Sequence, residues 1–322
     1  MTLPTVLDIY EAKRRLGPHL QPTPLLPSRW LSSIADGNVV LKLESVNLTS
    51  SFKIRGALNA ALRLMEGNDG GAAPLLVTAS AGNHGRSLAL AAERLRLDCV
   101  VFTPVTAPEA KKNAIRRHGA VLHGECEDYD TAEKEAKKYA AAEGGVYISP
   151  YNHPDVIAGA GTIGLEIVEA MPAFDVIVIP LGGGGLASGV GLAVKAAAPH
   201  VTIVGVEVEA SSPFLLSLEA GRITEITPRQ SLADGLTGNL EPGTITFPLV
   251  KQVVDYVVTV SEDDLGRAMK GLATEERLIV EGAGVAATAA IMAGKASAPG
   301  QRVVAMVTGG NVDLPKWLFT VS

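Results

Sequence analysis

Val178-Ile179-Pro180-Leu181-Gly182-Gly183-Gly184-Gly185-Leu186 reads as a strand that runs through a glycine turn into a helix. Its approach is β-branched and uncharged, as in strands buried on both faces, and such strands belong to parallel sheets covered by helices. Outward from this stretch the same alternation repeats. Strand candidates fall at Val39–Glu44, Leu75–Ala79, Cys99–Thr103, Val146–Ser149, Val176–Pro180, Ile203–Val208, Tyr256–Val260 and Val303–Val307. Helical stretches lie between them, at Ile54–Met65, His84–Arg94, Pro108–His118, Asp128–Ala142, Asp155–Ala170, Leu186–Ala198, Glu262–Leu272 and Val285–Ala293. The predicted class is α/β, with parallel-rich twisted sheets flanked by helices.

The run Gly67-Asn68-Asp69-Gly70-Gly71-Ala72-Ala73-Pro74 is the one low-complexity linker, and a second crossing is expected near Pro150–Pro154. These breaks predict a small mobile domain, 71–150, inserted in a larger one made of 1–70 and 151–322. The chain of 322 residues, with 47% hydrophobic and 19% charged positions, has the material for a sizeable core. A formal net charge of -6 gives no basic face for nucleic acid. Cys99 and Cys126 stand in unrelated contexts, without a disulfide framework or metal-ligand spacing, so a reducing cytoplasm is expected. Residues 1–16 read as an amphipathic helix rather than a signal peptide. The uncharged run Val176–Val194 is long enough for a membrane span, but Pro180 and four glycines break it, so no membrane partner is expected.

The glycine turn is the first candidate for chemistry. Consecutive glycines let backbone N–H groups converge on one concavity, and the following helix adds its positive end, so the turn suits a phosphate. The alternative is a tight strand-to-helix connection that needs small residues for packing. Neither a P-loop nor a dinucleotide fingerprint is present, which leaves a compact phosphorylated cofactor.

Ser51-Phe52-Lys53-Ile54-Arg55-Gly56 places a lysine between two apolar residues at a helix start. Most lysines are surface charges. A desolvated one has a lowered pKa and serves as the nucleophile for an imine. Ser80-Ala81-Gly82-Asn83-His84-Gly85 follows a strand and opens an apolar helix. Its N–H groups suit a substrate carboxylate and Asn83 a ring hydroxyl, against the plainer reading of a helix capped by Ser80 or Asn83. His84 taken alone is a packed helix-start residue. Thr308-Gly309-Gly310-Asn311 ends the last strand, where ligands gather in open α/β sheets, or is a plain turn.

The ordered set SFKIRGALNA, ASAGNHG, VIAGAGTIGLEI, PLGGGGL, EGAG and TGGNVDL covers nearly the whole chain. It resembles the fold-type-II pyridoxal-phosphate enzymes, which are tryptophan synthase β-like, in the branch of threonine/serine dehydratases (ammonia-lyases) and serine racemases. The resemblance implies pyridoxal 5'-phosphate as cofactor, with Lys53 carrying the imine link and removing the Cα proton as general base. It implies that Phe52 packs near the ring, Asn83 bonds the ring hydroxyl and Thr308 bonds the pyridine nitrogen, with Glu281 nearby. Gly182, Gly183, Gly184, Gly185 and Leu186 would hold the phosphate. Ser80, Ala81, Gly82, Asn83, His84 and Tyr151 would face a small amino-acid substrate.

The implied activity is α,β-elimination from L-threonine or L-serine, giving a 2-oxo acid and ammonia. A dehydratase of another β-hydroxy amino acid, such as hydroxyaspartate or phenylserine, or a racemase of the same fold, is the alternative. A non-catalytic binding module is disfavoured by intact Lys53, Asn83 and Thr308. Racemases of this branch have a serine where this chain has Ala81. The branch's divalent-cation site begins with an acidic residue matched by Glu207, but Pro213 replaces its later aspartate, so no metal is expected. The 14 residues beyond Thr308 are expected to hold no regulatory domain. A homodimer or higher homo-oligomer is implied by the resemblance alone.

Overall fold

The computed structural model describes residues 2–67 and 71–322. Its strands are β1 (Leu25–Ser28), β2 (Asn38–Leu43), β3 (Leu76–Ala79), β4 (Cys99–Pro104), β5 (Val121–Cys126), β6 (Val146–Tyr147), β7 (Val176–Pro180), β8 (Thr202–Val208), β9 (Tyr256–Val260) and β10 (Arg302–Val307). They form two sheets, ordered β5-β4-β3-β6 and β1-β2-β10-β7-β8-β9. Every pairing of these strands is parallel except that of β1 with β2. The class is therefore α/β, as expected.

Two strands escape the sequence reading, and both are edge strands. β1 contains Pro27, which removes a ladder donor and is tolerated only at an edge. β5 carries His123, Gly124 and Glu125 and buries little, so no apolar run announces it. Helices Arg29–Ala35, Pro213–Ala220, Thr246–Val253 and Leu314–Val321 are also additional to the expected set. Each is only seven or eight residues long, too short to show a strong 3.6-residue period.

The first compact unit is Met1–Leu20 with Phe52–Ala160 and holds the four-stranded sheet. Side chains of a strand alternate between faces, and here both faces are covered. Leu76 and Val101 join Ile54, Leu58, Leu88 and Ala92 in one cluster. Their neighbours Val77, Val100 and Phe102 join Ala132, Ala136 and Ala140 on the other side. The helix Tyr129–Ala142 turns that alanine stripe inward.

The second unit is Gln21–Ser51 with Gly161–Ser322 and holds the six-stranded sheet. β7 is buried along its whole length, and its Val178 packs with Leu41, Val204, Val206, Ala286 and Ala305.

This division differs from the expected one of 1–70 and 151–322 against 71–150. Residues 1–20 and 52–66 go with the smaller sheet, because helices Val6–Leu16 and Lys53–Glu66 put Leu16, Ile54, Leu58 and Ala61 into the cluster around Leu76. The expected crossing near Pro150–Pro154 falls instead after Ala160, inside helix Pro154–Ala170. Of the expected hinge Gly67–Pro74, residues 68–70 lie outside the described residues. No helix among the described residues is long and apolar enough to cross a membrane.

Candidate active site

In the first unit, β3 and β6 are parallel neighbours, so the segments that follow them leave the sheet at the same end. After β3 come Ser80 to Gly82 and then helix Asn83–Leu95. After β6 come Ile148 to Tyr151. Helix Lys53–Glu66 begins at the candidate lysine. The Lys53 Nζ donates to the Pro150 carbonyl at 2.7 Å and sits 5.1 Å from the centroid of the Phe52 ring. Lys53, Phe52, Tyr151 and the stretch Ala81–Asn83 are half-buried, while Ser80 and His84 are buried.

His84 is 2% exposed and its Nε2 lies 3.1 Å from the Ile148 carbonyl. A carbonyl only accepts, so the imidazole carries its proton on Nε2. Burial, then the nearby charge of Lys53, pushes the His84 pKa down from 6.5 to about 3, despite the hydrogen bond to Ile148. The ring is neutral, and its Nδ1 is a buried acceptor without a hydrogen-bond partner among the described residues. The same Ile148 carbonyl also accepts from Thr78 Oγ1 at 2.8 Å.

No side chain caps helix Asn83–Leu95, whose N-cap is Gly82, so capping by Ser80 or Asn83 is not what the string is for. The Ser80 N–H pairs with the Phe102 carbonyl at 3.0 Å, and the Gly82 N–H with Ser80 Oγ at 3.2 Å. These two N–H groups are engaged within the unit.

In the second unit, β10 lies beside β7 and runs parallel to it, so Thr308 and the glycine turn emerge at one end of the sheet. Gly184 has φ 84 and is the uncapped N-cap of helix Gly185–Ala197. A Cβ there would stand 2.5 Å from Phe214 Cζ and 3.0 Å from Thr246 Cβ. Gly182 is also confined, with Leu236 Cα 3.1 Å from a would-be Cβ. The turn is thus a backbone cradle walled by Phe214, Thr246 and Leu236, with Leu186 buried in the first helical turn. Bare N–H groups at a helix N-terminus and neutral walls fit a phosphate.

Thr308 is buried, and its N–H points to the Gly284 carbonyl at 3.4 Å. The Glu281 N–H in turn donates to the Gly309 carbonyl at 3.1 Å. A Cβ on Gly284 would meet the Gly309 oxygen at 2.4 Å, which explains the glycine of the EGAG string as a close backbone approach. Asn311 Nδ2 donates to the Thr49 carbonyl at 2.7 Å, and the Gly310 N–H to the Ser50 carbonyl at 2.8 Å. The TGGN string therefore does more than turn the chain: it pins the residues that precede Phe52.

Glu207, near the end of β8, is buried and accepts the Phe214 N–H on Oε1 and the Leu215 N–H on Oε2, both at 2.8 Å. Burial pushes its pKa up to about 7, against the lowering effect of these two bonds. Pro213 begins the helix that Glu207 caps. Among the described residues no group of three His, Cys, Asp or Glu side chains could hold a metal ion. Each Glu207 oxygen already accepts one backbone N–H group.

Sequence reasoning missed Thr78, Pro150, Phe214 and Thr246. Only Phe214 and Thr246 had a local signal, a proline within two residues of each. Pro150 acts through its own carbonyl and Thr78 through a bond to another, and a carbonyl carries no residue signature.

The family model for pyridoxal-phosphate dependent enzymes matches residues 16–309. An L-threonine ammonia-lyase of Thermotoga maritima is 39% identical over 310 residues, which are 96% of this chain and 76% of that protein. Among solved structures, a T.th. threonine deaminase superposes with a TM-score of 0.87 at 36% identity, covering 96% of this chain and 99% of that one. A maize serine racemase superposes with a TM-score of 0.90 at 29% identity, covering 99% and 98%.

Proposed function

This chain belongs to the pyridoxal-phosphate dependent enzymes, and from that premise we propose that it is an ammonia-lyase converting L-threonine, and L-serine beside it, to the 2-oxo acid and ammonia. The observation that carries the reading is the Lys53 amine, half-buried, against the Phe52 ring and the Pro150 carbonyl, with a neutral imidazole nearby. Bound pyridoxal phosphate supplies an electron sink that acidifies the proton on the substrate's Cα. Lys53 Nζ is the group that would hold the cofactor, and its amine would serve as the general base for that proton. Gly182 to Gly185 and Leu186 bind the phosphate through backbone N–H groups. By the family resemblance Asn83 would bond the ring hydroxyl and Thr308 the ring nitrogen, with Glu281 nearby. Ala81, Gly82, Asn83 and Tyr151 receive the substrate, together with the Ser80 hydroxyl.

The cradle supports the cofactor assignment on its own terms. The turn stands at a helix N-terminus, and its neighbours Phe214, Thr246 and Leu236 bring no carboxylate to repel an anion. Similarity to a serine racemase favours one second reading, racemisation, and Ala81 is the residue that opposes it. We take the enzyme to be a cytoplasmic homodimer; Cys99 and Cys126, both unpaired and buried, suit a reducing compartment. The test is spectroscopic. Purified protein should show a visible cofactor band that changes when L-threonine is added, with 2-oxo acid accumulating. Protein without that band, even after incubation with pyridoxal phosphate, would rule the function out.

A further inference from the structure

The Ile148 carbonyl is the acceptor for two side chains from elsewhere in the first unit, Thr78 Oγ1 at 2.8 Å and His84 Nε2 at 3.1 Å. Its own N–H donates to the Val77 carbonyl at 2.8 Å, which extends the β3–β6 ladder by one residue. One residue on, Ser149 Oγ accepts the Asn152 N–H at 3.0 Å and closes the turn 149–152. Pro150 stiffens that turn, because its ring fixes its own φ and keeps Ser149 extended. Residues 148–152 are therefore a bracket, and its Pro150 carbonyl receives the Lys53 amine at 2.7 Å.

We propose that Thr78 and His84 are positioning residues, which hold this bracket so that the Pro150 carbonyl docks the released Lys53 amine during turnover. The proposal rests on the function assigned above. A base that has taken the Cα proton is an ammonium, and a carbonyl aimed at it makes a charge-assisted hydrogen bond. The same bond gives a long flexible side chain one orientation, so the amine approaches Cα from one place. Two donors on one carbonyl make the bracket stiff, and loss of either loosens it. His84 stays neutral far below neutral pH, so the clamp has the same form throughout the range in which the enzyme works. The titratable groups acting on His84 are Lys53 and His153, and His153 is itself paired with Asp155. A protonated His84 would add a like charge beside the lysine, which the clamp's tautomer avoids.

Thr78→Val keeps the shape and removes one donor; Thr78→Ser keeps the donor. In the holoenzyme, Thr78→Val should lower kcat on the order of 10-fold with KM unchanged, as expected of a misplaced base. Thr78→Ser should restore the parental kcat. A second readout does not use turnover: the rate at which stripped protein regains its visible band with pyridoxal phosphate should fall for Thr78→Val and recover for Thr78→Ser. Thr78→Cys, whose thiol is a weak donor of similar size, should lie between and serves if the valine variant does not fold. Parental kcat and recombination rate in Thr78→Val or Thr78→Cys would overturn the proposal while leaving the lyase function intact. A parent protein with no band and no turnover would overturn both.

Discussion

The amine of Lys53 donates to the carbonyl of Pro150 at 2.7 Å, and this bond places the amine at the sheet end from which Ser80–Gly82 also emerge. A surface lysine would point to water instead. If Lys53 has its proposed role, Lys53→Ala should lose the visible cofactor band and nearly all lyase turnover, because anchor and base go together. Absorption spectra and 2-oxo acid assays on the purified variant check this. An unchanged band with full activity would reject Lys53.

Gly184 makes the sharpest demand on the phosphate cradle. Its φ of 84 disfavours any side chain, and a Cβ would strike the Phe214 ring at 2.5 Å. Overpacking of this kind costs about 1–3 kcal/mol, so Gly184→Val should weaken cofactor binding roughly 5- to 150-fold. Circular dichroism should change far less, since the helix that follows keeps its sequence. Titration of stripped protein with pyridoxal phosphate measures the loss, and equal affinity in variant and parent would refute the cradle.

Glu207 gives a prediction about metals. Its two oxygens cap the helix Pro213–Ala220, whose Phe214 walls the glycine turn. Treatment with a chelator should leave activity and the thermal midpoint unchanged, and added Mg2+ or Ca2+ should not raise that midpoint. Glu207→Gln sets an amide N–H against a backbone N–H and should cost about 1–3 kcal/mol, seen as a lower midpoint in both chelator and cation. Stabilisation by cation in the parent that vanishes in Glu207→Gln would show the carboxylate to be a ligand after all.

His84 sets an acid limit on stability. The unfolded imidazole binds a proton below about pH 6.5, whereas the folded one stays neutral down to about 3. Between those values the unfolded chain binds more protons, so stability rises with pH across this window and is lost on acidification. The slope from this one group is at most about 1.4 kcal/mol per pH unit. His84→Gln keeps an N–H donor without a proton to bind, so its urea-unfolding free energy should fall less steeply from pH 6.5 to pH 4. Parallel curves for parent and variant would show that His84 does not titrate on unfolding.

What the sequence made legible follows from how locally each feature is encoded. Val176–Pro180 is buried on both faces, so its residues alone announce a central parallel strand. Pro27 and Gly124 hide β1 and β5, whose strand character comes from a neighbour's edge and not from their own composition. Leu16, Ile54 and Leu58 read as apolar faces, but nothing in them says which sheet they cover. For that reason the two units divide the chain differently from the linkers. Lys53, Gly184 and Thr308 stand out because lysine among apolar residues, runs of glycine and a polar strand end are rare. Thr78 is one threonine in a short apolar strand, and its bond to Ile148 exists only once β3 and β6 are paired.

Ala81 separates elimination from racemisation. On the proposed assignment both reactions begin with removal of the Cα proton by Lys53, and racemisation needs a second group to return a proton to the opposite face. Ala81, half-buried between Ser80 and Gly82, has no proton to give. Ser80 does have a hydroxyl, but its residue is buried and its Oγ is turned to the Gly82 N–H at 3.2 Å. The parent should therefore turn L-serine into 2-oxo acid with little D-serine. Ala81→Ser should raise the ratio of D-serine to 2-oxo acid by a modest factor, since a new hydroxyl must also come within about 3 Å of Cα to transfer a proton. Chiral chromatography of the products of both proteins, over the same extent of L-serine consumption, measures that ratio. Abundant D-serine from the parent would mean that another donor, with the Ser80 hydroxyl first in line, serves the second face, and racemisation would then be the leading activity.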